Sequence, residues 1–303
     1  VVTVVDYWWL CPKHTLMHYR RGVCDADVTW RECLACIAAE REGTPRAGMA
    51  QSGAGRALLP LLYAGRWLLA GVPAGGGGGL PRRQRTLLEA LDGANDVISL
   101  SDTAVGLTGR RLRRARQHRI TNGLEPQWFG SAGAARCRSA TERVIGFAGA
   151  LVPHKGPQVL IAAMRRLGWA DARLRIAGGG SAEQRRALEA AAEGLRVEWV
   201  GALPAGAMPD FYRSLDVLVV PSLWPENIPM VVLESYASGT PVVASRVGGV
   251  AEVVGSEAHL FDVGSAESLA ACLERFFATE PPLLPRVRTA DEMVADTLAV
   301  YGR

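Results

Sequence analysis

From Arg143 onward the chain alternates short apolar runs with stretches of helical periodicity. Residues 144–147, 174–177, 197–200, 217–220 and 242–244 read as strands. Between them, 157–167, 182–192, 208–215 and 230–238 place apolar residues at helical spacing. Short strands alternating with helices of this length imply βαβ units and a parallel sheet. Right-handed crossovers then put helices on both faces, which gives a doubly wound, Rossmann-like α/β domain. Ligands of such sheets lie outside the carboxyl ends of the strands. The segments to search are therefore 149–156, 178–181, 201–204, 221–229 and 245–250.

The first half is less regular. Residues 1–9 read as a strand, 82–91 as a helix, 96–100 as a strand and 102–117 as an arginine-rich helix. This is about half of a second α/β domain. Residues 43–80 are rich in Gly, Ala and Arg and reach a run of five glycines, read as a flexible loop. The division expected is 1–121 for a partial first domain with a cysteine-rich insertion, 122–141 for a linker, 142–288 for the second domain and 289–303 for a terminal helix.

Composition narrows the classes. A chain of 303 residues favours two domains. With 49% hydrophobic and 21% charged residues it is not mainly disordered. The net charge of +4 is too small to indicate nucleic acid as a partner, and the six arginines within 110–119 read as a solvated helix face. The most apolar stretch, 58–72, is interrupted by Pro60 and Arg66 and falls short of the roughly 20 residues of a membrane span. It reads as a buried helix, with a helix on a membrane surface as the alternative. No charged segment precedes the opening valines, so they do not read as a signal peptide.

Three motifs carry candidate chemistry. In Pro221-Ser-Leu-Trp-Pro-Glu226-Asn-Ile-Pro-Met-Val-Val-Leu-Glu234, one carboxylate sits in the loop after a strand and a second lies inside the next helix. Carboxylates accept paired hydrogen bonds from vicinal hydroxyls, so the pair suits a sugar and a ribose, and Glu234 is expected to face the same mouth as Glu226. The backbone N–H groups of Asn227 and Ile228 suit a phosphate. The plain alternative is a helix start with acids favourable to its dipole. In Gly146-Phe-Ala-Gly149-Ala-Leu-Val-Pro-His-Lys155-Gly156, a lysine precedes a helix, where a polyanion would bind. Only Lys13 and Lys155 are lysine in a chain that otherwise uses arginine, which favours a point-charge role for Lys155 over that of an ordinary exposed lysine. In Val247-Gly248-Gly249-Val-Ala-Glu252 two glycines let backbone approach a ligand closely.

Together these motifs resemble the C-terminal domain of family 4 glycosyltransferases, retaining enzymes of the two-domain GT-B fold. The resemblance runs from about Val144 to Phe277 and extends to Asn122-Gly123. It implies two Rossmann-like doubly wound domains, the first incomplete, with the second binding the nucleotide-sugar and the terminal helix crossing back to the first. It implies that Glu234 holds the ribose hydroxyls and Glu226 the transferred sugar, with Asn227 and Ile228 supplying amides. Lys155 would neutralise the diphosphate, and Gly149, Gly248 and Gly249 would lie near the donor. Lys155 and Glu226 are thus the catalytic candidates. The donor would be a UDP-, GDP- or ADP-sugar, and the acceptor a carbohydrate, a lipid-linked glycan or a small molecule. Catalysis in the family usually needs no metal. The implied location is the cytoplasm, with peripheral contact at the inner membrane face.

The chain departs from the family at Ala150, where the family usually has arginine, and at Val5, where a subgroup has histidine in the segment Val5-Asp6-Tyr7-Trp8-Trp9-Leu10-Cys11-Pro12. Relative to the family it also begins mid-domain, so a truncation at the amino terminus is expected. These departures keep a second reading open, a non-catalytic nucleotide-sugar-binding module or inactive fragment. Cys11, Cys24, Cys33 and Cys36 end in a C-x2-C, a spacing that can close a structural zinc site, with His14 and His18 as alternative ligands and buried thiols as the alternative reading. Cys137 and Cys272 read as packing residues.

Overall fold

The computed structural model describes residues 1–7, 9–11, 17–18, 22–24, 30–39, 79–129, 141–280 and 282–302. The glycine run up to Gly78, the apolar stretch 58–72, Lys13, His14, Cys137 and the linker residues 130–140 lie outside them. The chain forms two compact units, 1–99 with 105–118, and 100–104 with 119–303.

In the first unit β1 (Val2–Val4) pairs in parallel with β4 (Asp96–Ser99), and β5 (Arg116–Arg119) follows in the order β1-β4-β5. A two-stranded antiparallel pair, β2 (Met17–His18) and β3 (Gly22–Val23), precedes α1 (Trp30–Ala39) and α2 (Gly79–Asp92). Val4, Tyr7, Trp9, Leu10, Leu91 and Val97 form its core.

The expected arginine-rich helix over 102–117 is corrected. The helix, α3 (Asp102–Gly109), stops at a glycine, and 116–119 is a strand. Two interactions override the helical composition. Asp92 Oδ1 accepts the backbone N–H groups of Arg113 and Arg114 at 2.6 and 2.8 Å, which holds the chain in a turn. Arg116 then makes a two-pronged pair with Asp96, both contacts 2.8 Å, and His118 Nε2 lies 2.7 Å from the same carboxylate. Arg116 holds the Asp96 carboxyl well below the usual range, helped by His118.

The second unit is built on a six-stranded sheet in the order β11-β10-β9-β6-β7-β8, parallel at every pairing. The strands are β6 (Arg143–Ala148), β7 (Ala172–Ala177), β8 (Val197–Gly201), β9 (Val217–Val220), β10 (Val242–Ser245) and β11 (Leu260–Phe261). Its helices are α4 (Pro157–Leu167), α5 (Ala182–Ala191), α6 (Met208–Arg213), α7 (Met230–Ala237), α8 (Gly248–Val254), α9 (Ala266–Ala278) and α10 (Ala290–Tyr301). Side chains alternate across a strand, and here both sides are covered. Ile145, Phe147, Val217 and Val219 pack with Leu160 and Met164 of α4 and Leu273 and Phe276 of α9. Val144, Ala148, Leu218 and Val220 pack with Phe211 and Tyr212 of α6, Val232 and Leu233 of α7 and Val250 of α8. Each Val, Leu, Ile, Phe or Met among these contributes roughly 1.5–3 kcal/mol of burial. The α/β expectation therefore holds, with β9 and β10 buried throughout and the edge strand β8 half-buried.

The strand order fixes the place of a ligand. From β6 the chain proceeds to β7 and β8 on one side, then returns to β9 on the other. The crevice between the carboxyl ends of β6 and β9 is the topological switch point.

Candidate functional site

The loops after β6 and β9 meet at that crevice. They are laced backbone to backbone: Leu223 N–H donates to His154 C=O at 2.8 Å. Gly156 has φ +77°, and a Cβ there would lie 1.8 Å from Pro221 O, so only glycine allows the loops this close. Pro157, at the first position of α4, fits the fixed φ that a helix start needs. Lys155 thereby faces the second loop.

Lys155 Nζ lies 2.8 Å from Glu226 Oε2, with the lysine side chain 27% and the glutamate side chain 9% exposed. Ser222 Oγ donates to the other oxygen of Glu226. Lys155 Nζ also stands 5.4 Å from the centre of the Trp224 ring, within cation–π range. Gly149, Ala150, Lys155, Ser222, Glu226 and Ile228 line a cavity of about 310 Å³ at the switch point, together with Met230 and Val231. A site with one cation, one carboxylate and an apolar wall can hold an anion and a hydroxylated group side by side.

Glu234 is the second carboxylate of the loop-and-helix motif. It lies on α7 and is not among the residues lining this cavity. Its Oε2 accepts the Tyr212 hydroxyl at 2.7 Å. Burial pushes the Glu234 carboxyl above its ordinary value, against the pull of the tyrosine hydrogen bond, and burial pushes the Tyr212 hydroxyl up as well.

Gly248 and Gly249 pack against the Glu226 loop. A Cβ on Gly249 would fall 1.4 Å from Asn227 O, and one on Gly248 2.8 Å from Pro225 Cα. Gly249 N–H donates to Glu226 C=O at 2.9 Å. These glycines let α8 seat directly beneath the Glu226 loop. Asn227 is buried, and its Oδ1 accepts the Ser101 hydroxyl at 2.6 Å.

The zinc expectation finds no support among the described residues. Among the described residues no group of three or more His, Cys, Asp or Glu side chains is set to receive a metal ion. Cys11, Cys24, Cys33 and Cys36 are thiols. Burial, and then the neighbouring Cys11, Cys36 and Cys24, push the Cys33 thiol up to about 12. Among the described residues no helix is long and apolar enough to cross a membrane.

Sequence reasoning missed Ser222, Tyr212, Ser101 and the partners of Glu252. Ser222 stands in the quoted loop motif, four residues before Glu226. Nothing local marks Tyr212, which reaches Glu234 from another helix.

Residues 136–290, just over half of the chain, match the family described as glycosyl transferases group 1. The chain is 36% identical over 148 residues to a D-inositol 3-phosphate glycosyltransferase of Corynebacterium glutamicum (strain R), covering 44% of this chain and 35% of that protein. It is 32% identical over 164 residues to a 2-deoxystreptamine glucosyltransferase of Streptomyces kanamyceticus, covering 52% and 42%. The matched part thus spans less than half the length of these relatives. Among solved structures, sucrose-phosphate synthase from Thermosynechococcus elongatus superposes with a TM-score of 0.62 at 25% identity, over 73% of this chain and 61% of that one. Anabaena Alr3699/HepE in complex with UDP-glucose shares the fold with a TM-score of 0.55 at 22% identity, over 65% and 58%. The architecture is that of GT-B structures, and the chain belongs to the glycosyl transferases group 1 family.

Proposed function

We propose that this chain is part of a retaining glycosyltransferase of the family 4 type, which moves a sugar from a nucleoside-diphosphate sugar to a hydroxylated acceptor without a catalytic metal. In this reading residues 142–288 bind the donor and 1–121 belong to the acceptor side. The observation that carries it is the Lys155–Glu226 pair in the cavity at the switch point. Without a donor, the carboxylate is the counter-charge of the lysine. With a donor, the diphosphate takes the lysine, and Glu226, still held by Ser222, accepts from a sugar hydroxyl.

The C1–O bond to the diphosphate breaks as the acceptor oxygen bonds C1 from the same face. The acceptor proton passes to the leaving phosphate oxygen. No protein base is needed, so the chain contributes positioning and electrostatic stabilisation of the leaving charge. Lys155 supplies that charge. Ala150, where the family usually has arginine, leaves it without a second clamp at that position.

Calorimetric titration of the 303-residue chain with UDP, GDP and ADP, repeated on Lys155→Ala and Glu234→Ala, tests the reading. Binding of one nucleotide, lost in both variants, supports it and names the donor class. Absence of binding to all three overturns it.

A further inference from the structure

Glu252 closes the third sequence motif, yet the donor reading gives it no role. Within the second unit its carboxylate takes three contacts from the start of α3. Oε2 accepts Asp102 N–H at 2.7 Å, and Oε1 accepts Thr103 N–H at 2.7 Å and the Thr103 hydroxyl at 2.5 Å. The first N–H groups of a helix have no partner inside it, so a carboxylate there is favoured by hydrogen bonding and by the helix dipole. The preceding residue, Ser101, caps the same turn by accepting Ala104 N–H at 3.1 Å. Its hydroxyl proton is spent on Asn227 Oδ1, 2.6 Å away and buried.

These contacts close a ring. Asn227 follows Glu226. Ser101 holds the Asn227 side chain, Glu252 holds the turn that carries Ser101, and Glu252 lies on α8, whose Gly249 N–H holds the Glu226 carbonyl. We infer that Glu252 is a positioning residue that sets the Glu226–Asn227–Ile228 backbone by holding Ser101 against Asn227. Neither Glu252 nor Ser101 lines the cavity beside Lys155. Their effect on a ligand therefore runs through the loop. The ring also explains why Asn227 offers a donor its backbone, since its side-chain oxygen is already engaged.

This inference rests on the proposed donor site. The test is titration of the full chain with whichever of UDP, GDP and ADP the unaltered protein binds, using Glu252→Gln, Ser101→Ala and the double variant, with thermal melting alongside. Glutamine keeps the size of the side chain but presents an amide nitrogen to a backbone donor, so one contact at the helix start is lost. Loss of such charge-assisted contacts is expected to weaken nucleotide binding about tenfold. Because both residues act through one ring, the double variant should bind no worse than the weaker single variant. Wild-type affinity in Glu252→Gln, or two losses that simply add, overturns the inference. A melting shift without a change in affinity overturns it too, since it would mark Glu252 as a helix cap alone. If Glu252→Gln fails to fold, Ser101→Ala decides: unchanged affinity there is equally fatal. If the unaltered chain binds none of the nucleotides, the donor reading itself fails first, and this inference falls with it.

Discussion

Tyr212 donates its hydroxyl to Glu234 Oε2 across 2.7 Å, and both groups are pushed up by burial. The carboxylate is thus held in place by a neutral donor. That leaves it with acceptor capacity for further hydroxyls. Glu234 favours its protonated form in the fold above its ordinary value of 4.5. The sign follows from linkage: its contribution is fully present below pH 4.5 and is lost as pH rises through the raised folded value. The stability of the wild type relative to Glu234→Gln should therefore fall with rising pH across that window in chemical-denaturation curves. If Glu234 holds the ribose hydroxyls, as the family resemblance implies, nucleotide affinity should move the opposite way, because the ionised carboxylate is the better acceptor. A flat stability difference would show that burial does not perturb Glu234.

Removal of the tyrosine hydroxyl isolates the other half of that pair. Tyr212→Phe leaves a half-buried carboxylate without its donor, at a cost of about 1.5–3 kcal/mol for a hydrogen bond to a charged group. The expected result is a lower midpoint in urea with an unchanged slope, and weaker nucleotide binding. An unchanged midpoint would mean that water replaces the hydroxyl.

Much of the second unit was legible because its central strands β9 and β10 are buried on both faces and so read as nearly unbroken apolar runs; the strand 217–220 matches in full. Lys155 and Glu226 were legible too, one before a helix and one in an acidic loop, although nothing in their spacing said that they pair. What was not legible depends on distant partners. The turn at 110–115 exists because Asp92 captures two amides, and no window of sequence contains that fact. The strand 260–261 is too short to show a period, and α8 opens on two glycines, poor helix formers. Ser101 meets Asn227 across 126 positions and Glu252 meets Thr103 across 149, so only the fold brings them together.

Gly249 gives a direct steric test. An alanine Cβ at this position would lie 1.4 Å from Asn227 O, a distance no packed structure tolerates. Gly249→Ala must push α8 away from the Glu226 loop. Nucleotide affinity should drop more than tenfold, together with a destabilisation of about 1–3 kcal/mol typical of overpacking. Gly106→Ala is the control, since nothing lies within 4 Å of a Cβ there and the residue is inside α3. It should raise stability by about 0.5–1 kcal/mol through helix propensity. Equal behaviour of the two variants would remove the steric argument.

The Asp96 cluster predicts the acid limb of the first unit. Arg116, and then His118, hold the Asp96 carboxyl far below its ordinary value of 3.8, while that side chain is almost fully covered. A depressed folded value means that the contribution is present above pH 3.8 and is lost as pH falls toward the folded value. Asp96→Asn abolishes the charge and the pairing with Arg116, so the variant should be less stable than the wild type at pH 7. The gap between the two should close as pH falls below 3.8. Paired melting curves from pH 7 to pH 2 measure it, with tryptophan fluorescence as a probe because Trp9 lies in the core of this unit. A gap that stays constant with pH would mean that the carboxylate acts only as a hydrogen-bond acceptor of fixed geometry. A gap that widens toward acid would contradict the assigned sign.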